Sequence, residues 1–339
     1  MDRDLTPRSQ TFSAQRLALE NFHGPFVTHG IDIYSAPEDP DTVYIVAVNH
    51  LPNPDYHLRR SSIFRQAPPK ARSRLELFRH RIGSTTATHV RSIWHPLLRT
   101  PNDVLIASPT DIYVTNDHFF RQGPARLFED VTWVPWTDLV HLEIHPPLDR
   151  QAAMGDKGDA DSDALGVVGN VAHRGWYSNN GLGHGRDATK ILIGCAVAGE
   201  LIIANISAAP LHVLSAVEKV QLPMTVDNPT LFTDPFAQET GRDAGGYVLA
   251  GMSRAGWFPN GVDSGAGKGG EGRNPSVVWL LDKRREKRLI FQDDGRVLSS
   301  ASTALLVAID PDENDGRKQA WLFVTGPLSE AVVVARVDL

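Results

Sequence analysis

The sequence predicts an all-β fold, and a β-propeller before a sandwich or barrel. Three observations carry that expectation. Short apolar runs rich in Val, Ile and Tyr recur along the 339 residues, clusters of Gly, Pro, Asp and Asn bound them, and few helical stripes fall between them. So many short strands at regular spacing exceed what one sandwich needs, whereas four-stranded blades use them all. No motif repeats cleanly enough to count blades from the sequence.

Each run has the length and boundaries of a strand. "TVYIVAVNH" (42–50) and "SRLELFRHRI" (73–82) come first, followed by "DVLIASPTDIYVTND" (103–117), which packs a turn between two strands, and "LVHLEI" (139–144). "KILIGCAVAGELIIANIS" (190–207) is the next such run. The second half continues with "GGYVLAGM", "SVVWLLD", "RLIFQDD", "TALLVAID", "AWLFVTG" and "AVVVARVDL". Polar or glycine-rich loops are expected as insertions at about 51–72, 151–166 and 255–276, none of which reads as a domain boundary. One domain over 1–339 is expected.

Composition excludes several classes. Hydrophobic content of 41% and charged content of 22% are ordinary for a globular chain, and a net charge of −6 offers no footprint for nucleic acid. No apolar run reaches the length of a membrane span, so no transmembrane segment is expected. The first residues lack the basic-then-apolar order of a signal peptide, so the chain as given reads as cytoplasmic. The single cysteine, Cys195, excludes an intrachain disulfide and reads as a buried small residue in a strand. "DADSD" (159–163) and "DPDEND" (310–315) fail as EF-hand loops, because Ala164 and Asp315 stand where the turn requires glycine. "SGAGKGGEG" lacks phosphate-loop spacing, and there is no G-x-S-x-G elbow or His-Glu-x-x-His helix.

What remains is a series of polar clusters where strands should meet loops. They are "THGID" with His29, "AVNH" with His50, "TPNDVLIA" with Asn102 and Asp103, and "YVTNDHFF" with Asp117 and His118. "YSNNGLGHG" with Asn179, Asn180 and His184, and "MTVDNPTLF" with Asp227 and Asn228, complete the series. Singly, each is what a turn former looks like. His118 and His184 read as hydrogen-bonding or supporting groups, and Trp133 and Trp136 as core residues.

In order and spacing these motifs resemble the serum paraoxonase/arylesterase family of calcium-dependent lactonases, relatives of the gluconolactonase-like propellers. The likeness is clearest from Tyr44 to Phe120, where "YIVAVNH", "LELFRHRI" and "RSIWHPLLRTPNDVLIASPTDIYVTNDHFF" follow the family order. "NNGLG", "VDNP" and "VLSSAST" extend it to the C-terminal region. The resemblance implies a six-bladed β-propeller and a hydrolase of lactones or aryl esters, a carboxylic ester hydrolase. In that scheme Ca²⁺ polarises the carbonyl, and Asn102, Asn180, Asp227 and Asn228 occupy the positions of the catalytic-calcium ligands. Asp103 would serve a second, structural calcium with the carbonyl of Ile31, and Ser302 falls at a pocket-lining position. His29 and His50 match the histidine dyad, with His29 as general base on water and His50 orienting it.

The chain also departs from the family pattern. None of the residues before His29 reproduces the family's upstream Glu-Asp pair of calcium ligands, so the first blade is expected to be incomplete and the catalytic calcium weakly held. Val337 stands where the family has the C-terminal cysteine of its closing disulfide, and Ser253 where it has a histidine. Family members are often secreted or membrane-associated through an N-terminal segment, which would follow here if the start is truncated. The expected partner is a small-molecule ester or lactone. Two alternatives stay open: a propeller that binds or shapes a small apolar metabolite as a biosynthetic accessory protein without hydrolysis, and an inactive truncated homologue.

Overall fold

Twenty strands form five sheets in the computed structural model, which describes residues 15–54, 56, 70–132, 134–151, 160–253 and 274–339. The first sheet holds β1 (Ala18–Glu20), β2 (Thr28–Ser35), β3 (Thr42–Asn49), β4 (Arg74–Arg81) and β5 (Thr86–Ile93). β2 to β5 run as an antiparallel meander, and β1 adds to the outer edge in parallel with β5. β6 (Pro101–Ile106), β7 (Asp111–Asn116), β8 (Thr137–Ile144) and β9 (Val167–Trp176) make the second sheet. β10 (Asn179–His184), β11 (Lys190–Cys195), β12 (Glu200–Ile206) and β13 (Leu214–Gln221) make the third. The fourth is β14 (Thr230–Phe232), β15 (Gly246–Met252), β16 (Ser276–Asp282) and β17 (Lys287–Asp293), and the fifth is β18 (Thr303–Ala308), β19 (Gln319–Thr325) and β20 (Val333–Asp338).

This is a β-propeller of five blades, not the expected six. Nor is the first blade incomplete: it is the largest, while the fifth has three strands. The physical reason is that the strand-forming sequence supplies only enough strands for five sheets. The residues ahead of β2 contribute the short β1 and then run across the blade as a cover. There Phe22 and Phe26 set their rings 5.5 and 5.6 Å from Phe78, and Val27 N–H donates to Asn49 Oδ1 at 2.8 Å.

Alternation along each strand gives both faces of the middle blades to apolar packing. Four cores result, one at each junction of consecutive blades. Val46, Leu77, Ile106 and Val140 join the first to the second, and Tyr113, Leu139, Ile193 and Ile202 the second to the third. Leu192, Ile203, Tyr247 and Leu249 join the third to the fourth, and Val248, Leu280, Leu306 and Leu322 the fourth to the fifth. Among the described residues no fifth core joins the last blade to the first. Leu305 and Val307 of β18 remain 48% and 47% exposed, and Ile31 and Ile33 of β2 56% and 55%. The arc is open at that seam.

A buried polar group lies in the first blade. Glu76 accepts from Arg74 Nε (2.6 Å), Ser92 Oγ (2.6 Å), Asn49 Nδ2 (2.9 Å) and the ring of His89 (3.0 Å). Burial alone pushes its carboxyl up, but His89, Arg74, Ser92 and Asn49 together hold it below its ordinary value.

Several expectations need correcting. Helix α1 (Pro124–Thr132) was not foreseen; its apolar residues Leu127, Phe128 and Val131 face solvent while Glu129 is buried. Glu129 accepts the backbone N–H groups of Phe119 (2.7 Å) and Phe120 (3.0 Å). Trp136 is exposed rather than in the core. Trp133 and most of the three expected loop insertions lie outside the described residues. Cys195 is buried in β11, as expected. No helix among the described residues is long and apolar enough to cross a membrane.

Candidate functional site

The inner strand of every blade reaches one central cavity of about 720 Å³, lined from β2, β6, β10 and β14 and from the segments flanking β18 and β19. Three of these strands carry an irregularity at the residues singled out in the sequence. The pairing of β2 with β3 shifts between Thr28 and Ile31, at His29 and Gly30. That of β6 with β7 shifts between Pro101 and Val104, at Asn102 and Asp103, and that of β10 with β11 between Asn179 and Leu182, at Asn180 and Gly181. A bulge leaves residues unpaired and turns their side chains out of the alternating pattern. The sheets therefore aim these polar residues down the axis and not into the interblade cores.

Glycine permits the approach of the inner strands. A Cβ on Gly30 would lie 2.2 Å from Asp103 Oδ1 and 2.4 Å from its Cα. One on Gly181 would lie 2.2 Å from Asn228 Oδ1. Only a residue without a side chain fits at either position.

His29, Ile31, Asn102, Asp103, Asp227, Asn228 and Ser302 all line the cavity. Asp103 is buried, accepting from Val104 N–H (2.9 Å), from Leu182 N–H (2.7 Å) and from the N–H of Ile31. Burial pushes its carboxyl up to about 7, with the nearby charge of Asp32 adding to it and the three N–H groups opposing. Asp227 is also pushed up to about 7, by burial and then by Asp103. Among the described residues neither pairs with a lysine or arginine. Asn228 is held by Nδ2 donating to Thr303 Oγ1 at 2.9 Å and by its N–H on Ser302 O at 3.0 Å. Asn180 enters differently: its carbonyl accepts from Thr115 Oγ1 at 2.6 Å, and its side chain is not among the cavity lining.

The two histidines meet. His29 Nδ1 lies 3.2 Å from His50 Nε2, and His50 Nδ1 lies 2.8 Å from Ser73 Oγ. If protons run from His29 to His50 to Ser73, His29 Nε2 is left with a free lone pair on the cavity side, 3.4 Å from Asn102 Nδ2. Burial lowers the pKa of both rings. For His29 the charge of Asp117 opposes this, and for His50 the neighbouring His29 adds to it. Both shifts favour the neutral imidazole over its protonated form.

Two participants, Asp32 of "THGID" and Asp117 of "YVTNDHFF", stood in the quoted clusters without an assigned role. Asp32 lines the cavity, where it accepts from Ile106 N–H (2.7 Å) and faces His184 Nε2 (3.0 Å). The signal was present, since in β2 it shares with Gly30 the side opposite His29 and Ile31. Asp117 sits within electrostatic reach of both dyad rings; burial raises its carboxyl, but His118 beside it (2.9 Å) brings it below the ordinary value. His118 and His184 thus support carboxylates, as their reading as supporting groups expected.

The site is therefore a central cavity walled by bulged inner strands, with a histidine pair beside carboxylates that no described lysine or arginine pairs. Comparison with known proteins places a family beside that description. The Arylesterase family model matches residues 21–146. Serum paraoxonase/arylesterase 2 of Gallus gallus is 26% identical over 235 residues, 68% of this chain and 52% of the relative. Serum paraoxonase/lactonase 3 of Homo sapiens is 28% identical over 112 residues, 33% of this chain and 26% of that one. The chain spans about half, or less, of the length of these relatives. Among solved structures, a putative gluconolactonase aligns over 94% of this chain and 90% of its own, at 12% identity and a TM-score of 0.40. At that score the fold is read from the five sheets themselves. In sequence the chain is thus similar to the paraoxonase/arylesterase proteins, most clearly over residues 21–146.

Proposed function

We propose that the chain hydrolyses lactones or aryl esters in the central cavity, with His29 as general base. The observation that carries this reading is the contact of His29 with His50 at 3.2 Å on the wall of a cavity that also holds Asp103 and Asp227. Buried carboxylates without a cationic partner are costly unless a cation or proton joins them, and the glycine cradle brings carboxylate and amide oxygens together. The donor set therefore fits Ca²⁺, a hard ion that takes carboxylate, amide and carbonyl oxygens. Asn102, Asp227 and Asn228 would hold it, with Asp103 and Ile31 beside them, whereas Asn180, expected as a fourth ligand, does not line the cavity; Asp32 supplies negative charge where the family's upstream pair is not reproduced. When bound, the ion supplies Lewis-acid polarisation of the ester carbonyl.

The chain's own residues do the rest. His29 Nε2 takes a proton from water, and His50 accepts a hydrogen bond from His29 Nδ1–H and so raises the basicity of the ring. Ser73 fixes the tautomer of His50, and Asp117 stabilises the imidazolium that forms. The test is turnover of phenyl acetate and of an aliphatic lactone, with and without a calcium chelator. Turnover should be lost on chelation and fall at least about 100-fold in His29→Gln, the scale of a lost general base. Because burial lowers the pKa of His29, kcat/KM should hold at neutral pH and fall only below the ordinary imidazole range. Activity that survives chelation overturns the metal's role, and full activity of His29→Gln overturns the base.

A further inference from the structure

We propose that Asp111, His141 and His212 form a second metal site, for a divalent first-row transition ion such as Zn²⁺, that clasps the second blade to the third. It lies outside the central cavity and does not depend on the hydrolytic reading. Asp111 opens β7, His141 sits on β8, and His212 lies on the turn between β12 and β13. Their ligand atoms all fall within 4.8 Å of one another, the only such His, Cys, Asp or Glu group among the described residues. His141 is buried, while a cavity of about 230 Å³ lined by Asp111, Tyr113 and His212 gives access from solvent.

Each ligand is held by a neighbour. Asp111 Oδ2 accepts from Ser108 Oγ and Thr110 Oγ1 (2.7 Å), which leaves Oδ1 free to face the histidines. Asn170 stands opposite His141 in the β8–β9 register. Its Nδ2 donates to Leu211 O (3.2 Å), so its Oδ1 faces His141 Nδ1 at 2.9 Å. That contact puts the proton of neutral His141 on Nδ1 and the lone pair on Nε2. Nε2 in turn points at Asp111 Oδ1, 2.8 Å away. Two lone-pair atoms that close require a positive charge between or beside them. A carboxylate, amide or carbonyl that orients the far nitrogen of a histidine is the usual support of a metal ligand.

A proton alone would satisfy that pair, but it gives His212 no part. The His212 ring stacks on His141 with centroids 4.2 Å apart, and its Nδ1 is 3.8 Å from Asp111 Oδ1, beyond hydrogen-bond reach. Its backbone is held in the left-handed region (φ 47°), and its carbonyl accepts from Tyr113 Oη at 3.2 Å. Strain at a non-glycine residue persists where surrounding structure imposes it, often at a ligand clamp. A small turn of this ring brings Nδ1 onto the point that Nε2 of His141 and Oδ1 of Asp111 already share. Two imidazoles and one carboxylate suit Zn²⁺ better than Ca²⁺, with water from the outer cavity as fourth ligand.

The test is Zn²⁺ titration of the full chain by calorimetry, after chelation and in excess Ca²⁺ so that Ca²⁺ competes for the central site. Wild type and His29→Gln, which removes the other histidine pair, should each take up one Zn²⁺ at this site with a rise in Tm. His212→Ala, on a turn and partly exposed, should lose that uptake while keeping its Tm in chelator. Asn170→Ala should weaken it by about 10–100-fold, as loss of an orienting partner does. No uptake by the wild type, uptake unchanged in His212→Ala, or uptake abolished in His29→Gln would each overturn the proposal.

Discussion

Replacing Asp227 with Asn in the metal-free protein should stabilise it at alkaline pH. Burial and Asp103 move the Asp227 carboxyl from its ordinary 3.8 to about 7. At about 1.36 kcal/mol per tenfold change, that displacement sets a ceiling of roughly 4 kcal/mol on the cost of charging it. Because the folded pKa is raised, the folded chain binds the extra proton between the two values. Stability from this group is thus fully present below about pH 4 and lost as pH rises through about 7. Asp227 is partly exposed to the cavity, and water there reduces the net gain on substitution to about 2 kcal/mol. For a chain this long that is an apparent Tm higher by about 3 °C. The assay is thermal unfolding with chelator at about pH 5 and about pH 8, where the gap between variant and wild type should be several-fold larger at the alkaline pH. In excess Ca²⁺ the order should invert at alkaline pH, since the variant lacks a charged ligand. Equal Tm values in chelator at about pH 8, or a difference independent of pH, would refute the idea that an uncompensated carboxylate sits there.

Three further outcomes test other parts of the structure. Gly30→Ala drives a Cβ against Asp103 backbone and carboxylate, so it should cost about 3 kcal/mol in denaturant unfolding and abolish stabilisation by Ca²⁺. Glu76→Gln removes the carboxylate of His89 in the first-blade interior and leaves Arg74 with Asp163 alone, and urea unfolding should show a loss of about 3 kcal/mol. Leu305→Ser and Leu306→Ala are neighbours on β18 with opposite exposure. The first should cost about 0.5 kcal/mol or less and the second about 2–4 kcal/mol; comparable losses would mean that the seam between the last and first blades is closed.

The parts of the fold legible in the sequence were those where propensity and burial agree. β3, β11, β12, β15 and β16 are continuous Val, Ile and Leu runs because they are buried on both faces. β10 was not legible as a strand, since "NNGLGH" has no β-branched residue; it is a strand because it pairs antiparallel with β11 at the inner edge of the third blade. β5 was hidden by His89 and Arg91, whose burial is made possible by partners distant in the chain, Glu76 and the carbonyls of Asp163 and Leu165. α1 does carry a short apolar stripe at helical spacing, Leu127, Phe128 and Val131, but it faces solvent, and the buried member of the helix is Glu129. The blade count failed for a different reason. It rested on the resemblance, while the strands counted in this chain suffice for five.

The candidate site was legible for a reason that also limits it. Gly, Asn and Asp at His29-Gly30, Asn102-Asp103 and Asn180-Gly181 are what a bulge on an inner strand requires, so turn chemistry and site chemistry coincide at the same positions. A polar cluster interrupting an otherwise apolar strand is ambiguous alone, but three such interruptions on three successive inner strands converge on one axis. Asp111, His141 and His212 have no such signature. They lie on regular strands and a turn, far apart in sequence, and only the register of β7 with β8 and the path of the β12–β13 turn bring them together. Convergence of that kind belongs to pairing between strands, and no local pattern encodes it. The two groups differ in charge as well. The central cavity gathers carboxylates whose protons are hard to lose, whereas Asp111 is held well below the ordinary carboxylate range, chiefly by His141. The first therefore gains most from a hard dication at neutral pH, and the second already holds a charged oxygen aimed at imidazole.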